Sequence, residues 1–402
     1  MSFRNRGGPL AGIRVIEIAK VWAGPYAGKM LAMLGAEVIK VESMGALDEM
    51  RAYGGVDIEH APYFLSHNTE ILSVRVDMKT DAGMARLREM IACADIVIDN
   101  IRPGAMERSN LGYADLKTIR PDIIHVSIKM YGNDGPLGYQ TGYAPCFAAI
   151  GGLTYLVGHE GEVPKGMNIR YGDSTVGAAA AFAAIAALHH RESTGEGQFV
   201  DVSAVEALSS LVGDSLFTFN LTGDIPRADG NFHPELAPHG AYPCREGGWL
   251  SIACGSDDEW RALTGVLGVD QLADDQRFAS RDLRVANRNA LDRQLDKLTA
   301  AHETDALGAA LRAAGVAAYP SASTLALAAD DLFWERQVYR MVENGNGDTR
   351  PVVGAPWRMT PDEAAIERGA PLLGEHNDYV YRALLGLSPE EIDRLVALKA
   401  ID

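Results

Sequence analysis

Cysteine is scarce here, and its spacing carries no motif. The four residues Cys93, Cys146, Cys244 and Cys254 form no C-x-x-C pair. Each sits among apolar or small neighbours, as in Met90-Ile91-Ala92-Cys93-Ala94, which reads as reduced, buried thiols in a cytoplasmic protein rather than a disulfide framework. No G-x-G-x-x-G and no P-loop occurs, so the usual dinucleotide and nucleoside-triphosphate fingerprints are missing. The first residues, Met1-Ser2-Phe3-Arg4-Asn5-Arg6-Gly7-Gly8, contain no apolar h-region, and no export signal is expected. The longest apolar run, Val176 to Leu188, is too short to span a bilayer. Basic residues are outnumbered, 37 to 54, leaving a formal net charge of -17. Such a surface repels phosphate backbones, which argues against nucleic acid as a partner. An anionic small molecule would need a local basic pocket.

Metal chemistry is equally unsupported, and no metal site is expected. His189 and His190 are adjacent on a helix and point to different faces. His233 and His239 flank a proline-rich loop without the thiolates or carboxylates of a zinc site. Ser127 and Ser203 lack the G-x-S-x-G elbow of a serine hydrolase.

What is present is a large apolar fraction, 47% of 402 residues, enough for two folded domains. The first hundred residues alternate in type. Ile13–Ile18 reads as a strand, Ala23-Gly24-Pro25 as a turn opening a helix to about Leu34, and Glu37–Val41 as a second strand. Pro25 suits a first helical position and Gly35 a left-handed helix end. The pattern recurs with a helix near 82–93, a strand at Asp95–Asp99, a helix near 113–119 and a strand at Ile123–Ile128. Parallel strands with crossover helices predict a doubly wound α/β sheet, with ligands at the carboxyl ends of its strands. Residues 223–240 read as a loop, followed by a strand at Trp249–Ala253 and helices near 257–267 and 288–314. Residues 345–361 read as a second loop before a helical tail. The expected layout is a large Rossmann-like domain (1–222), a smaller α/β domain (223–330) and a segment returning to the first (331–402).

Asp173 is the sharpest chemical candidate. Tyr171-Gly172-Asp173 precedes an apolar helix expected to start near Ser174. An aspartate there caps free N–H groups and feels the helix dipole, which favours its ionised form. Gly172 would leave room for a ligand to approach. Taken alone, a plain helix cap is the better reading. Lys40, Arg75, Arg102, Arg108 and Lys129 lie at or after strand ends, where converging cations could hold phosphates. Residue by residue, ordinary surface charge explains each.

Several blocks in order resemble the class III CoA-transferases, the family of the carnitine and bile-acid CoA-transferases. They are Ala23-Gly24-Pro25-Tyr26, Leu34 to Glu42, Asp99-Asn100-Ile101-Arg102-Pro103-Gly104 and Gly132-Asn133-Asp134-Gly135-Pro136. Gly172-Asp173, Arg191 to Gln198 and Pro371-Leu372-Leu373-Gly374-Glu375-His376-Asn377 complete them. The resemblance spans about residues 9 to 398. It implies a ring-shaped subunit in an interlocked homodimer and a covalent route through Asp173. No tightly bound cofactor is implied; acyl-CoA and a carboxylic acid are the substrates. The family's coenzyme A contacts fall on Val21, Ala23, Asn100, Arg108 and Lys129.

Departures are visible. Trp22 stands where the family often has a polar residue near the reacting carbonyl. The basic residue of the N-x-x-K block is absent from Asn68-Thr69-Glu70-Ile71, with Arg75 as a substitute. His233-Pro234-Glu235-Leu236-Ala237-Pro238 replaces a glycine-rich loop, so His233 and Glu235 are candidates for shaping the acid pocket. Succinyl-CoA is a family donor, and an aryl-succinate-like acid is one acceptor the resemblance suggests. The related α-methylacyl-CoA racemases need a second base, and the matching positions here are Tyr143 and Ala144, neither a good base near neutral pH. A non-catalytic subunit of a heteromeric transferase is a further alternative.

Overall fold

A computed structural model describes residues 6–166, 169–343 and 347–401, without the side chains of 169 and 170. Residues 1–5, read above for an export signal, and Gly345 lie outside the described residues. The chain divides into two units: Met1–Tyr155, Lys165–Pro226 and Leu332–Asp402 form one, and Leu156–Pro164 with Arg227–Asp331 the other. The break after Pro226 falls close to the expected boundary, whereas the short piece Leu156–Pro164 had no signature in the sequence.

In the first unit, β1 (Arg14–Ile18), α1 (Ala23–Met33), β2 (Glu37–Glu42), α2 (Pro62–His67), β3 (Leu72–Arg75), α3 (Asp81–Ala92) and β4 (Ile96–Asp99) follow one another. Next come α4 (Ala105–Arg108), α5 (Tyr113–Ile119), β5 (Ile124–Lys129), α6 (Ala144–Ile150), α7 (Ile169–Thr194), β6 (Phe199–Ser203), α8 (Ala204–Ser209) and α9 (Gly213–Thr222). The six strands form one parallel sheet in the order β3-β2-β1-β4-β5-β6. That order is doubly wound, and its direction reverses between β1 and β4, where ligands gather in such sheets. The inner strands are rich in Val and Ile and buried along their length because both faces are covered. On one face Val15, Ile98 and Val126 pack against α1, α6, α7 and α8. On the other, Ile16, Ile39 and Val97 pack against α3, α5 and the C-terminal Val380, Tyr381 and Leu395.

The Pro371–Asn377 block caps the sheet's edge. The His376 N–H donates to the Ser73 carbonyl at 2.9 Å, and the Asn377 carboxamide oxygen accepts the Arg75 N–H at 2.9 Å. His376 Nδ1 accepts the Ser73 N–H at 3.2 Å. These bonds occupy edge groups that would otherwise template a foreign strand.

Helix α7 is 26 residues long, and by length and composition Tyr171–Thr194 could cross a membrane. The run Val176–Leu188 marks only its apolar centre. Val176, Ala180, Ala184 and Ala187 repeat at helical spacing and are buried against α1 and the sheet, the packing of a core helix. Gly177 permits the closest approach: a Cβ there would lie 2.6 Å from the Ala23 carbonyl oxygen.

The second unit holds the antiparallel sheet β7 (His239–Pro243), β8 (Trp249–Ala253) and β9 (Ala317–Pro320). One face packs on α10 (Asp257–Val266), α12 (Arg288–Thr299) and α13 (Thr304–Ala313), with α11 (Arg281–Ala286) between the first two in sequence. The helix expected over 288–314 is thus two helices. A hairpin, β10 (Tyr339–Glu343) with β11 (Thr349–Val353), belongs to the first unit and replaces part of the loop expected over 345–361.

Candidate active site

The chain leaves β1 through Ala19-Lys20-Val21-Trp22, and two of these residues are left-handed. Val21 has φ 49° and Trp22 has φ 33°. A β-branched and a bulky residue in succession at positive φ is strained backbone, of the kind that persists only where neighbours over-determine it. The neighbours here are specific. Asn100, just past β4, accepts the Lys20 N–H at 2.8 Å and donates to the Val21 carbonyl at 3.1 Å. Asp48 accepts the Val21 N–H at 3.0 Å, and the Met50 sulfur accepts the Trp22 N–H at 3.0 Å.

Beneath the turn lies a buried charge network. Lys40 Nζ pairs with Glu17 at 2.7 Å and Asp48 at 2.8 Å and donates to the Ala19 carbonyl at 3.0 Å. Lys40 and both carboxylates are fully shielded from solvent. Burial alone would push Asp48 up, but Lys40 and the N–H groups of Val21 and Met50 outweigh it and hold the carboxyl below its usual value. Burial dominates at Glu17, whose pKa is raised despite Lys40. Nearby, Arg51 grips Glu42 through Nε at 2.9 Å and Nη2 at 2.9 Å and lies over the Phe64 ring. Lys40 therefore serves as a structural counter-ion, not as the phosphate ligand its strand-end position suggested. The readable signal was charge inside otherwise apolar parallel strands, at Glu17, Lys40 and Glu42.

Above the turn, Trp22 is buried, with its ring 4.1 Å from that of His67 and 5.5 Å from that of Tyr63. Its indole N–H donates to the Ser174 hydroxyl oxygen at 3.0 Å. The bond joins the switch-point turn to the start of α7, and so to Asp173. Asp173 is the fifth residue of that helix, not its cap, because the helix begins at Ile169. Gly172 is likewise not a ligand approach. It is buried, and a Cβ there would meet Phe147 at 3.2 Å and Ala144 at 3.4 Å.

Asp173 is half-buried and has no hydrogen bond or ion pair among the described residues. Burial raises its pKa to about 7, opposite to the direction expected for a helix cap. A carboxylate kept dry and without a cation is a stronger base and nucleophile than a solvated one, at the cost of ionising less readily.

The remaining candidates divide. Val21, Trp22, Ala23 and Asn100 converge at the switch point with α7 behind them. Lys129 is buried and paired with Asp99, whose carboxylate also accepts a hydrogen bond from His125 Nε2 at 2.9 Å. It is not a free cation for a phosphate. Arg102 and Arg108 are exposed beyond β4, the Arg108 guanidinium reaching the Pro103 carbonyl at 3.4 Å. Arg75 ends the edge strand β3, its stem against Gly374. In the Asn68–Ile71 block, Ile71 is buried and Glu70 pairs with Arg6 at 3.2 Å, so the block faces inward. Tyr143 is exposed ahead of α6. His233 and Glu235 belong to the second unit and share a local turn, His233 Nδ1 accepting the Glu235 N–H at 3.1 Å. Among the described residues, no group of His, Cys, Asp and Glu could hold a metal ion.

A family model described as CoA-transferase family III matches residues 10–377. The chain is 30% identical over 404 residues to the succinyl-CoA–D-citramalate CoA-transferase of Chloroflexus aurantiacus, covering 100% of each. It is 32% identical over 387 residues to the succinate–glutarate CoA-transferase of Agrobacterium fabrum, covering 94% of this chain and 96% of that one. Among solved structures, a CAIB/BAIF family protein from Brucella suis superposes with a TM-score of 0.87 at 33% identity, over 94% of this chain and 100% of that one.

Proposed function

Because the chain belongs to CoA-transferase family III, we propose that it carries coenzyme A from succinyl-CoA to a second carboxylic acid, with Asp173 as the covalent nucleophile. One observation carries the assignment of Asp173: it is a half-buried carboxylate without a counter-ion among the described residues, raised to about 7, at the start of the helix that backs the switch point.

The route balances at each step. An Asp173 oxygen adds to the thioester carbonyl, the C–S bond breaks and the thiolate leaves with the electron pair, giving a mixed anhydride. The thiolate then adds to the Asp173 acyl carbon, releasing succinate and leaving an aspartyl-CoA thioester. The acceptor carboxylate adds to that thioester and expels the thiolate, giving a second anhydride; the thiolate then adds to the acceptor's acyl carbon, and the Asp173 carboxylate leaves. Covalent catalysis divides one difficult exchange into easier ones. Val21, Ala23 and Asn100 would line the thioester end, and the exposed Arg102 and Arg108 are suited to phosphates. Shielding from water protects the anhydrides from hydrolysis.

The acceptor is an aliphatic dicarboxylic acid near succinate in size, a reading favoured by the citramalate and glutarate of the two relatives' names. An aryl-substituted succinate is the alternative. The active form is an interlocked homodimer in the cytoplasm. Supporting the dimer, α9 leaves Leu216, Phe217, Phe219 and Leu221 exposed, an apolar surface rarely left bare. All four cysteines are free thiols, which suits a reducing compartment, although only Cys244 and Cys254 are buried as expected, Cys93 being half-buried and Cys146 exposed.

The test is intact-protein mass measurement after incubation with succinyl-CoA, wild type beside Asp173→Asn. A CoA-sized adduct on wild type alone, removed by hydroxylamine, is the expected result. Equal masses for both proteins would overturn the assignment. Turnover with glutarate, citramalate and an aryl-succinate then separates the acceptors.

A further inference from the structure

Helical serines and threonines usually return their hydroxyl proton to the carbonyl four residues earlier. Thr175 does so, donating to the Tyr171 carbonyl at 2.8 Å. Its neighbour Ser174 does not; its one hydrogen bond among the described residues is the one from Trp22. An indole N–H can only donate, so the Ser174 oxygen is the acceptor and its own proton is uncommitted. A half-buried hydroxyl with a fixed lone pair and a spare proton thus follows Asp173 in the chain, about 100° around the helix from it.

The partner that fixes it is itself immobilised. Trp22 is held through its N–H by Met50, through its ring by His67 and Tyr63, and through Val21 by Asp48. Lys40 in turn fixes Asp48. Two successive left-handed residues are an expensive way to leave a strand, and a glycine would make the same turn with less strain. What this turn supplies is an aimed indole.

We infer that Ser174 is a second catalytic residue, its hydroxyl donating a hydrogen bond to the acyl oxygen as that oxygen gains negative charge, with Trp22 as its positioning residue. The inference rests on Asp173 being the nucleophile. When the Asp173 oxygen adds to the thioester carbon, the carbonyl π electrons move onto the acyl oxygen. The donated bond stabilises that oxyanion until the carbonyl reforms and the thiolate departs. A donor already in place needs no reorganisation during the step. Ser174 keeps its proton throughout.

The experiment follows adduct formation from succinyl-CoA by rapid quench and intact mass in wild type, Ser174→Ala, Ser174→Thr and Trp22→Phe. Ser174→Ala should slow the step by on the order of 10²-fold, the scale of losing one oxyanion donor, with half-saturation by succinyl-CoA unchanged. Ser174→Thr, which retains the hydroxyl, should recover most of the rate. Trp22→Phe, which keeps an aromatic ring but loses the N–H, should slow it by a smaller factor. A wild-type rate in Ser174→Ala, a loss confined to half-saturation, or no recovery in Ser174→Thr would overturn the inference while leaving the Asp173 assignment intact. An absence of adduct on wild type would overturn that assignment and this inference together.

Discussion

At Asp173 the side chain's environment has consequences for both rate and stability. Its carboxyl is raised from 3.8 to about 7 by burial, so the native state holds a proton that the unfolded chain has already released. Adduct formation should therefore fall as pH drops through about 7, measured as the single-turnover rate against pH. Stability runs the other way. Over the window from 3.8 to about 7 the native state binds more protons than the unfolded chain, so wild type loses stability as pH rises across it. Asp173→Asn removes that loss, and its melting temperature should pull ahead of wild type as pH increases. Lys40 presents the reverse problem. Lys40→Met strands Glu17 and Asp48 in the interior, and chemical denaturation should show a loss of about 3–5 kcal/mol. At this scale the sequence was only partly legible. It singled out Asp173 from Gly-Asp before an apolar run, yet placed it at the helix cap because residues 169–175 are mostly polar and hide the first turns. It put Lys40 and Lys129 with the phosphates because strand-end position does not disclose a buried partner. Nothing in the order of letters announces a left-handed valine followed by a left-handed tryptophan.

Elements were more legible in the middle of the sheet than at its rim. β1, β2, β4 and β5 are buried on both faces, and their clusters of Val and Ile stand out in the sequence. The edge strands β3 and β6 were not foreseen: β3 is four residues long, and β6 is a short Phe-Val-Asp-Val-Ser segment with a polar residue at its centre. Helix α1 begins at Ala23, two residues before the expected Pro25, with Gly35 at φ 102° ending it as anticipated. Where α1 meets α7, Gly177→Ala would force a methyl to within 2.6 Å of the Ala23 carbonyl, and thermal melting should register a loss of about 1–3 kcal/mol. The sheet-edge cap has its own titration. Burial, with help from Arg368, lowers His376 from 6.5 to about 4, keeping Nδ1 neutral and able to accept the Ser73 N–H. Here the native state binds fewer protons than the unfolded chain between those values, so stability is lost as pH falls from 6.5 towards about 4. His376→Asn should flatten that acid limb. Asp173 acts oppositely over much of the same range, so the two contributions separate only when both variants are compared with wild type.

For the whole molecule, the doubly wound sheet followed from alternating strand and helix, while the break after Pro226 lies inside the stretch read as a loop over residues 223–240. The piece Leu156–Pro164 was invisible, since its membership in the second unit depends on contacts made far away in sequence. Assembly is the property of this scale. On the proposed dimer, Phe217→Glu places a charge on the exposed apolar surface of α9 and should move a sizing profile from dimer towards monomer; an unmoved profile would take the seam away from α9.

The bonds between Ser73 and His376 join positions 303 residues apart. At roughly 5–20 residues per second, a ribosome needs about 15–60 s to travel that distance. Throughout that interval the emerging chain carries β3 with its outer edge unsealed, while the entire second unit is being translated. The closing segment is thus made 303 residues after the strand whose edge it shields. A transcript truncated before codon 371 would yield a sheet open to its neighbours, and chaperone dependence should concentrate in the interval before that block is made.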